Sequence, residues 1–253
     1  MTTRNAAHDV VLSKDRQAGP RPEAVTVAVS LHNYARFVEA CLDSVLEQTH
    51  PHVELIVVDD HSTRDASLEV ARAWCERHGD RLDRCLLVRH GHNRGLAAAR
   101  NTAFAAARTE HVFVLDADNA IYPRALARLH GAARDAGADV AYSQLELFGD
   151  QQDIGQADVW SRRRFQRGNY VDAMALIRVR SWRQVGGYSH IEGGWEDFDL
   201  WCKFIEAGMA GLYVPEILCR YRVHGSSMLR TDTVTATEAL KVELSYRHPW
   251  LTF

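Results

Sequence analysis

Residues Val25–Leu31 read VTVAVSL, a run rich in apolar and β-branched side chains. Such a run is typical of a strand that is covered on both faces of a sheet. Apolar residues at helical spacing follow it over 37–46, and a second buried run covers 54–58. A strand, a helix and a second strand in this order predict parallel strands joined by right-handed crossovers.

The alternation continues along the chain, with further strands predicted at 85–88, 112–115 and 140–147 and helices between them. After a long polar loop over 149–168, the pattern is less regular. It predicts a strand over 173–179, a helix over 197–207, and short strands over 212–214 and 217–223. The fold class is therefore α/β, a mostly parallel sheet flanked by helices, followed by a smaller mixed region.

The predicted organisation is one core preceded by a tail. Residues 1–23 are predicted to be a mobile tail that ends in a Gly- and Pro-rich stretch. The core spans 24–228, divided at residue 120 into a first and a second part. Residues 229–253 are predicted to be a C-terminal extension with a helix over 233–246.

Composition excludes several classes of protein. The chain has 253 residues, with 46% hydrophobic and 25% charged residues, which are ordinary globular values. Its net charge of -3 argues against a dedicated nucleic-acid binder. No apolar run approaches the roughly 20 residues of a membrane span, and no signal-peptide core precedes Pro22. Five scattered cysteines without CxxC spacing predict buried reduced thiols in a cytoplasmic protein.

Polar residues follow each of the first four predicted strands of the core, where an open parallel sheet binds its ligands. They are His32-Asn33-Tyr34, Asp59-Asp60, the stretch Gly91–Gly95, and the stretch Asp116–Asn119. The chain has neither the GxGxxG pattern after its first strand nor a P-loop, which argues against dinucleotide and P-loop sites.

Asp116-Ala117-Asp118 directly follows a buried strand and is the sharpest of these elements. Two carboxylates at this spacing can bind one Mg²⁺ or Mn²⁺ that substrate phosphates bridge. A solvated acidic turn is the alternative.

Three further groups are candidates for ligand binding. Asp60 can accept hydrogen bonds from a base or ribose, or it can cap the next helix. Asn93-Arg94-Gly95 precedes a helix N-terminus, which favours anions, and Arg100 adds a positive charge unless it is a surface residue.

Glu196-Asp197 opens an amphipathic helix after Gly193-Gly194-Trp195. Carboxylates in a first turn often serve only the helix dipole, but a glycine pair and an aromatic residue beside them favour a catalytic site. His224 follows the last strand among small polar residues, where it is either structural or a metal ligand.

In combination, these motifs resemble family 2 glycosyltransferases of the GT-A fold. The resemblance covers roughly residues 24–228 in consistent order. It rests on VSLHNY at 29–34, SVLEQT at 44–49, VVDDHS at 57–62, NRGLAAARN at 93–101, LDAD at 115–118, VGGY at 185–188, WEDFDLW at 195–201 and YRVH at 221–224.

The resemblance implies transfer of a sugar from a nucleoside-diphosphate sugar, a UDP-sugar first, to an acceptor hydroxyl with inversion, in polysaccharide or glycoconjugate biosynthesis. It implies a nucleotide-binding part over 24–120 and an acceptor part over 121–228. It also implies Mn²⁺ or Mg²⁺ as cofactor, held by Asp118 and His224, and Asp197 as general base with Glu196 as the second candidate. Donor-binding residues would be Leu31, Asn33, Tyr34, Asp59, Asp60, Asn93, Arg94, Gly95, Arg100, Asp116, Ala117 and Arg222, with Gly194 and Trp195 on the acceptor side.

The first loop departs from the family pattern, because many members carry a Pro and an aromatic residue directly before Asn33. This leaves Leu31, His32 and Tyr34 as candidates to stack on the base. The acceptor is a saccharide, a lipid-linked molecule or a small molecule. Arg162-Arg163-Arg164 and Arg167 either meet an anionic acceptor or membrane headgroup, as in peripheral contact at the inner face of the membrane, or form a solvated loop.

Two other functions compete with the transferase. A sugar-nucleotide pyrophosphorylase would need a glycine-rich first loop, and residues 30–37 contain no glycine. A non-catalytic nucleotide-sugar-binding module would be a decayed transferase, against which the intact Asp116, Asp118, Asp197 and His224 argue.

Overall fold

A computed structural model describes residues 8–16, 19, 21–225 and 232–253, the side chains of 232–235 excepted. The strands within these residues are β1 His8–Asp15, β2 Val25–Leu31, β3 Val53–Asp59, β4 Arg84–His90, β5 His111–Asp116, β6 Ala120–Ile121, β7 Val140–Gly149, β8 Asp153–Ile154, β9 Ala175–Arg178 and β10 Gly211–Val223. The helices are α1 Ala35–Leu46, α2 Ser67–His78, α3 Leu96–Ala106, α4 Ala125–Ala136, α5 Arg162–Phe165, α6 Val179–Gln184, α7 Glu196–Glu206 and α8 Asp232–Arg247, with a 3-10 turn at Gly79–Arg81.

These strands form one sheet in the order β1-β4-β3-β2-β5-β9-β7-β10-β6, with β8 paired to β7. Strand β2 lies at the centre of the first half and pairs in parallel with β3 and β5, and β3 pairs in parallel with β4. All seven residues of β2 and of β3 are buried, as expected of strands covered on both faces. The predicted α/β class and mostly parallel sheet are confirmed.

Strand β9 enters the sheet in the opposite direction. It pairs antiparallel with both β5 and β7, while β10 runs parallel to β7. The amino end of β9 therefore lies beside the carboxyl end of β5. This mixed pairing brings residues of the second half of the chain to the sheet edge where the first half carries its loops.

Helices bury both faces of the sheet. One core contains residues of α1, α2 and α4, with the fully buried Trp74 among its largest side chains. The other contains residues of α3, α6, α7 and α8, including Trp201 and Phe104. All five cysteines are buried and free, as expected for thiols within such cores. No helix among the described residues has the length and apolar composition needed to span a membrane.

The structure corrects two predictions about local structure. Residues His8–Asp15, predicted to lie in a mobile tail, form the edge strand β1, antiparallel to β4. The half-buried Val11 and Leu12 pack against the first core, which explains why this short apolar patch joins the sheet. The two short strands predicted over 212–214 and 217–223 are one strand, β10, whose register shifts between Val214 and Cys219.

Candidate active site

The candidate site lies at the carboxyl ends of β2, β3 and β5. Parallel register places Leu31 level with Asp59 and Ser30 level with Asp116. The loops that follow these strands therefore emerge side by side. This is the edge at which open α/β sheets bind their ligands.

Asp60 fixes the loop that precedes α3. Its carboxylate accepts hydrogen bonds from the backbone N–H groups of Arg94 (2.9 Å) and Gly95 (2.8 Å), and His90 Nδ1 lies 2.6 Å from Oδ1. Gly95 adopts a φ of 85°, which a residue with a side chain rarely tolerates. Asp60 therefore holds the backbone of the loop in place, in addition to the ligand-binding role expected from the sequence.

Asp59 is fully buried beneath this loop. Its carboxylate accepts a hydrogen bond from Ser62 N–H and lies 3.3 Å from Arg89 Nε. This geometry fits the supporting role expected for Asp59.

The first loop is tied to its neighbours through His32 and Asn33. Asn33 Oδ1 accepts hydrogen bonds from the backbone N–H groups of Thr63 and Arg64, and Asn33 itself has a φ of 57°. His32 Nδ1 donates to the carbonyl of Asp60 at 2.9 Å. Its Nε2 therefore accepts, and Asn93 Nδ2 lies 3.1 Å away.

Only two of the three candidates for stacking on a base retain an accessible side chain. Leu31 is 1% exposed and packs in the core, so its side chain is not available at the sheet edge. Tyr34 is half-buried, with its ring 5.8 Å from that of His224. His32 and Tyr34 remain the candidates.

Asp116 and Arg100 form an ion pair in which Arg100 is buried and Asp116 is partly exposed. Arg100 Nη2 donates to both carboxylate oxygens of Asp116, at 3.0 and 3.2 Å, and the Arg100 side chain is only 3% exposed. Burial alone would lower the pKa of Arg100, but the charge of Asp116 raises it above its ordinary value. Arg100 is thus a fixed cation within the site and not a surface helix residue.

Asp118 and His224 meet beside this pair. Their facing atoms, Oδ2 and Nε2, are 2.9 Å apart, and both side chains are largely buried. Burial, reinforced by the charge of Asp116, raises the pKa of Asp118 although His224 partly offsets the effect. Ala117 between the two carboxylates is fully buried.

Arg222 connects the end of β10 to the turn at Asp118 and Asn119 by hydrogen bonds. Its Nε donates to the carbonyl of Asp118 and its backbone N–H to Asn119 Oδ1, both at 2.8 Å. These two bonds explain how His224, distant in the sequence, reaches Asp118. Asn119 was not singled out from the sequence, because a polar residue after an acidic pair gives no separate signal.

Glu196 and Asp197 open α7 after a turn of left-handed backbone. Gly193, Gly194 and Trp195 have φ values of 91°, 117° and 64°. Glu196 is 4% exposed, whereas Asp197 remains partly accessible and accepts a hydrogen bond from Asn169 Nδ2 at 2.9 Å. Burial raises the pKa of both carboxyl groups, and Arg100 partly offsets the effect.

Trp195 directly precedes α7 and lies two residues before Asp197 in the chain. Its ring lies 5.9 Å from those of Phe198 and Phe253, while Gly194 is buried behind it. A half-buried indole beside an accessible carboxyl group fits the acceptor side expected from the sequence.

Sequence reasoning missed Asp172 and Asn169, which the structure brings to the same site. Burial, together with the charges of Asp116 and Asp197, raises the pKa of Asp172 to about 7, although the Met174 N–H and Arg100 oppose the shift. The one signal in the sequence is that Asp172 comes shortly before a buried strand. Its place in the site depends on the antiparallel direction of β9, which the sequence does not reveal.

Among the described residues, no group of three or more His, Cys, Asp or Glu side chains is arranged to hold a metal ion. A protein-only metal cage is therefore absent from this part of the chain. The Asp118–His224 pair offers two ligands.

A sequence profile described as Glycosyl transferase family 2 matches residues 26–181, more than half of the chain. The chain belongs to glycosyltransferase family 2. The matched region contains the first loop, Asp60, the Arg100–Asp116 pair and Asp172. The resemblance inferred from the motifs is thereby confirmed.

This member of the family is similar to a protein described as putative glycosyltransferase EpsH of Bacillus subtilis. The two are 27% identical over 226 residues, which cover 82% of this chain and 63% of EpsH.

Solved structures share the GT-A fold with it. The structure of S. aureus TarS with UDP-GlcNAc superposes with a TM-score of 0.70 at 16% identity, covering 88% of this chain and 66% of that one. A mannosyltransferase from Pyrobaculum calidifontis, solved with GDP-Man and Mn²⁺, gives 0.64 at 20% identity, covering 94% and 76%. The chain spans less than two thirds of the length of EpsH and of TarS.

Proposed function

We propose that this glycosyltransferase moves a hexosyl group from a nucleoside-diphosphate sugar to an acceptor hydroxyl by a metal-dependent, inverting single displacement. The observation that carries the proposal is the charge arrangement around Arg100. The Asp116 carboxylate binds Arg100 directly, and the partly accessible Asp197 lies within the electrostatic reach of both. The proposed general base is thus close to the side chains that would bind the donor.

The Asp118–His224 pair fits one divalent cation. Ligands at adjacent positions of an octahedral ion, each about 2.1 Å from the metal, are separated by about 3.0 Å. The 2.9 Å between Asp118 Oδ2 and His224 Nε2 matches this separation, so the two side chains would hold one cation together. Diphosphate oxygens and water would complete the coordination of Mg²⁺ or Mn²⁺, which rarely has an all-protein cage.

The bound cation would neutralise negative charge on the departing diphosphate. The chain's own residues supply the rest of the reaction. Asp197 removes the proton of the acceptor hydroxyl as its oxygen bonds to the anomeric carbon, and the electron pair of the broken C–O bond leaves with the diphosphate. Arg100 holds the Asp116 carboxylate in place next to the donor through their hydrogen-bonded ion pair.

For the donor we propose a UDP-sugar, the class that TarS holds in its solved complex, with a GDP-sugar as the alternative represented by the archaeal mannosyltransferase. The nucleotide would lie against the loops that Asn33 and Asp60 hold in place. The acceptor would approach past Trp195, beside Asp197. We propose a saccharide or lipid-linked saccharide in this position.

The test is incubation with UDP- and GDP-sugars, Mn²⁺ and candidate acceptors, with the products separated by chromatography. Free nucleoside diphosphate together with an extended acceptor supports the transferase. Formation of nucleoside triphosphate from pyrophosphate would instead identify a pyrophosphorylase. Binding without any turnover would identify a nucleotide-sugar-binding module, and either result would contradict the proposal.

A further inference from the structure

Asp172 lies within electrostatic reach of Asp116 and of Asp197, the proposed base, and the sheet topology explains this placement. The antiparallel ladder of β5 and β9 ends at the pair Phe113 and Leu176. Because β9 runs antiparallel to β5, its amino end and the residues just before it lie at the carboxyl end of β5. The segment that carries Asp172 is therefore at the same end of the sheet as the acidic turn after β5.

Only one of the two oxygens of the Asp172 carboxyl group takes part in a hydrogen bond among the described residues. Its Oδ1 accepts a hydrogen bond from the Met174 N–H at 2.8 Å, which fixes the orientation of the side chain. Within residues 8–16, 19, 21–225 and 232–253 that the structure describes, Oδ2 has no hydrogen-bond partner, and the side chain remains partly exposed. An oriented acceptor atom is therefore free to meet a ligand.

The electrostatic surroundings make this position costly for the folded protein. Asp116 and Asp197 both contribute negative charge at Asp172, and the opposing cation, Arg100, is bound to Asp116. Three carboxyl groups that share one buried cation are typical of functional sites. A structural role in the turn needs only Oδ1, which an asparagine supplies equally well.

We infer that Asp172 is a specificity-determining residue that binds a hydroxyl group of the donor sugar through Oδ2. The inference rests on the proposed function. In that function the anomeric carbon is bonded to the diphosphate, held beside Asp116 and Asp118, and faces the acceptor oxygen next to Asp197. The rest of the sugar ring would then lie near Asp116 and Asp197, where the Asp172 carboxyl group can meet one of its hydroxyl groups.

A second observation indicates a polar ligand in the same region. The Tyr188 hydroxyl is buried without a hydrogen-bond partner in the described part of the chain. The Arg100 guanidinium lies 5.4 Å from the centre of its ring, and Asp197 and Asp116 are among its charged neighbours. An unpaired buried hydroxyl is costly unless a ligand or water satisfies it.

The experiment measures binding of UDP-glucose, UDP-GlcNAc, UDP-galactose and GDP-mannose, and of UDP and GDP alone, each with Mn²⁺. The variants are Asp172→Asn, which keeps the bond to Met174, and Asp135→Asn, a matched change at an exposed residue of α4. Asp172→Asn should weaken binding of the preferred nucleotide sugar by about ten- to a hundredfold, as expected for loss of a hydrogen bond to a charged group. Affinity for the nucleotide alone should stay unchanged, and the melting temperature should not fall, because the substitution removes a carboxyl group whose charge is unfavourable in the folded protein.

Three results would overturn the inference. Equal loss of affinity for nucleotide and nucleotide sugar would indicate a structural effect. Unchanged donor affinity with a raised acceptor KM would assign Asp172 to the acceptor. Wild-type protein that binds none of the four nucleotide sugars would refute the proposed function itself, and this result is distinguishable because it precedes any comparison of variants.

Discussion

Asp197 and Glu196 are adjacent in the chain but differ in accessibility, and this difference favours Asp197 as the proposed base. Asp197→Asn should retain the fold, because the amide oxygen still accepts the bond from Asn169. Transfer should fall by about 10²–10⁴-fold, the usual contribution of a positioned base. The measurement is kcat together with the melting temperature.

The neighbouring Glu196→Gln is the matched control for this change. Because Glu196 is 4% exposed, its substitution should affect stability more than the chemical step. If Asp197→Asn turns over normally while Glu196→Gln does not, the base is Glu196. Normal turnover by both variants would leave only a helix-dipole role for the pair.

Asp60 supports the loop before α3, which is proposed to bind the nucleotide, through three internal contacts. Asp60→Ala leaves the Arg94 and Gly95 N–H groups and His90 without their acceptor. The loop before α3 should lose its shape, and the donor KM should rise roughly ten- to a hundredfold, on a scale of about 1.4 kcal/mol per decade. A variant with normal donor KM and lost kcat would contradict this role.

At the scale of elements, α7 is anchored by the segment that follows α8. His248 is 3% exposed, with Nδ1 2.7 Å from Glu206 Oε1 and Nε2 3.2 Å from Asp199 Oδ1. Because both ring nitrogens face carboxylates, both donate and the imidazole is charged. Burial alone would lower the pKa of His248, but the two carboxylates raise it.

This clamp predicts a pH dependence of stability. The stabilisation is complete below the unfolded pKa of 6.5 and is lost as the pH rises through the raised folded pKa. His248→Leu should cost about 1.5–3 kcal/mol at pH 6 and should remove this loss at higher pH. Urea unfolding between pH 6 and 9 measures it, with the exposed His92 changed to Gln as control. Identical pH slopes for His248→Leu and wild type would refute the clamp.

A second group of histidines, His50, His111 and His130, predicts a pH dependence of stability in the opposite direction. His50 Nε2 lies 3.0 Å from His130 Nδ1, and the rings of His111 and His130 are 5.3 Å apart. Burial lowers the pKa of His111 and of His130 to about 4 and also lowers that of His50. The unfolded chain therefore takes up protons first, and stability is lost as the pH falls from 6.5 toward 4.

The change His130→Leu should reduce this acid loss. A difference of about 1 kcal/mol corresponds to ~2–4 °C in melting temperature for a chain of this size. Differential scanning calorimetry at pH 7 and pH 5 measures it, with His92→Gln again as control. A variant that loses as much stability as wild type between these pH values would show that the cluster does not titrate.

The strands differ in how much of their structure can be predicted from the sequence. Buried strands β2 and β3 are predictable because continuous apolar runs alternate with helical spacing, and the polar residues after them follow from parallel pairing. Strand β9 is predictable as a strand, but its direction is decided by pairing with residues far away in the chain. Asp172 was missed for this reason, since its position beside Asp116 depends on that direction.

At the scale of the whole molecule, the same reasoning explains the terminal strand. Val11 and Leu12 alone are too short a signal for a strand, and β1 forms because the edge of β4 is available to pair with it. Such an edge exists only once the sheet is assembled. The acidic turn and Arg100 were both found in the sequence, whereas their ion pair depends on how α3 packs on the sheet.

The last prediction concerns linkage between metal, nucleotide and global stability. A ligand at a hundred times its Kd stabilises the folded state by about 2.7 kcal/mol. For a chain of this size this is roughly 5–10 °C in melting temperature. Because Asp118 and His224 supply only two ligands, neither Mn²⁺ nor UDP or GDP alone should give this shift, and Mn²⁺ with the correct nucleotide should.

Asp118→Ala tests whether the joint stabilisation by Mn²⁺ and nucleotide depends on the proposed cation site. The substitution removes a carboxyl group whose pKa is raised by burial, so the unliganded protein should lose little stability. The joint shift with Mn²⁺ and nucleotide should disappear, while Asp135→Asn should retain it. A nucleotide shift that is equally large in EDTA, or that survives in Asp118→Ala, would show that donor binding does not need a metal at Asp118. The 2.9 Å contact with His224 would then be a hydrogen bond of the fold alone.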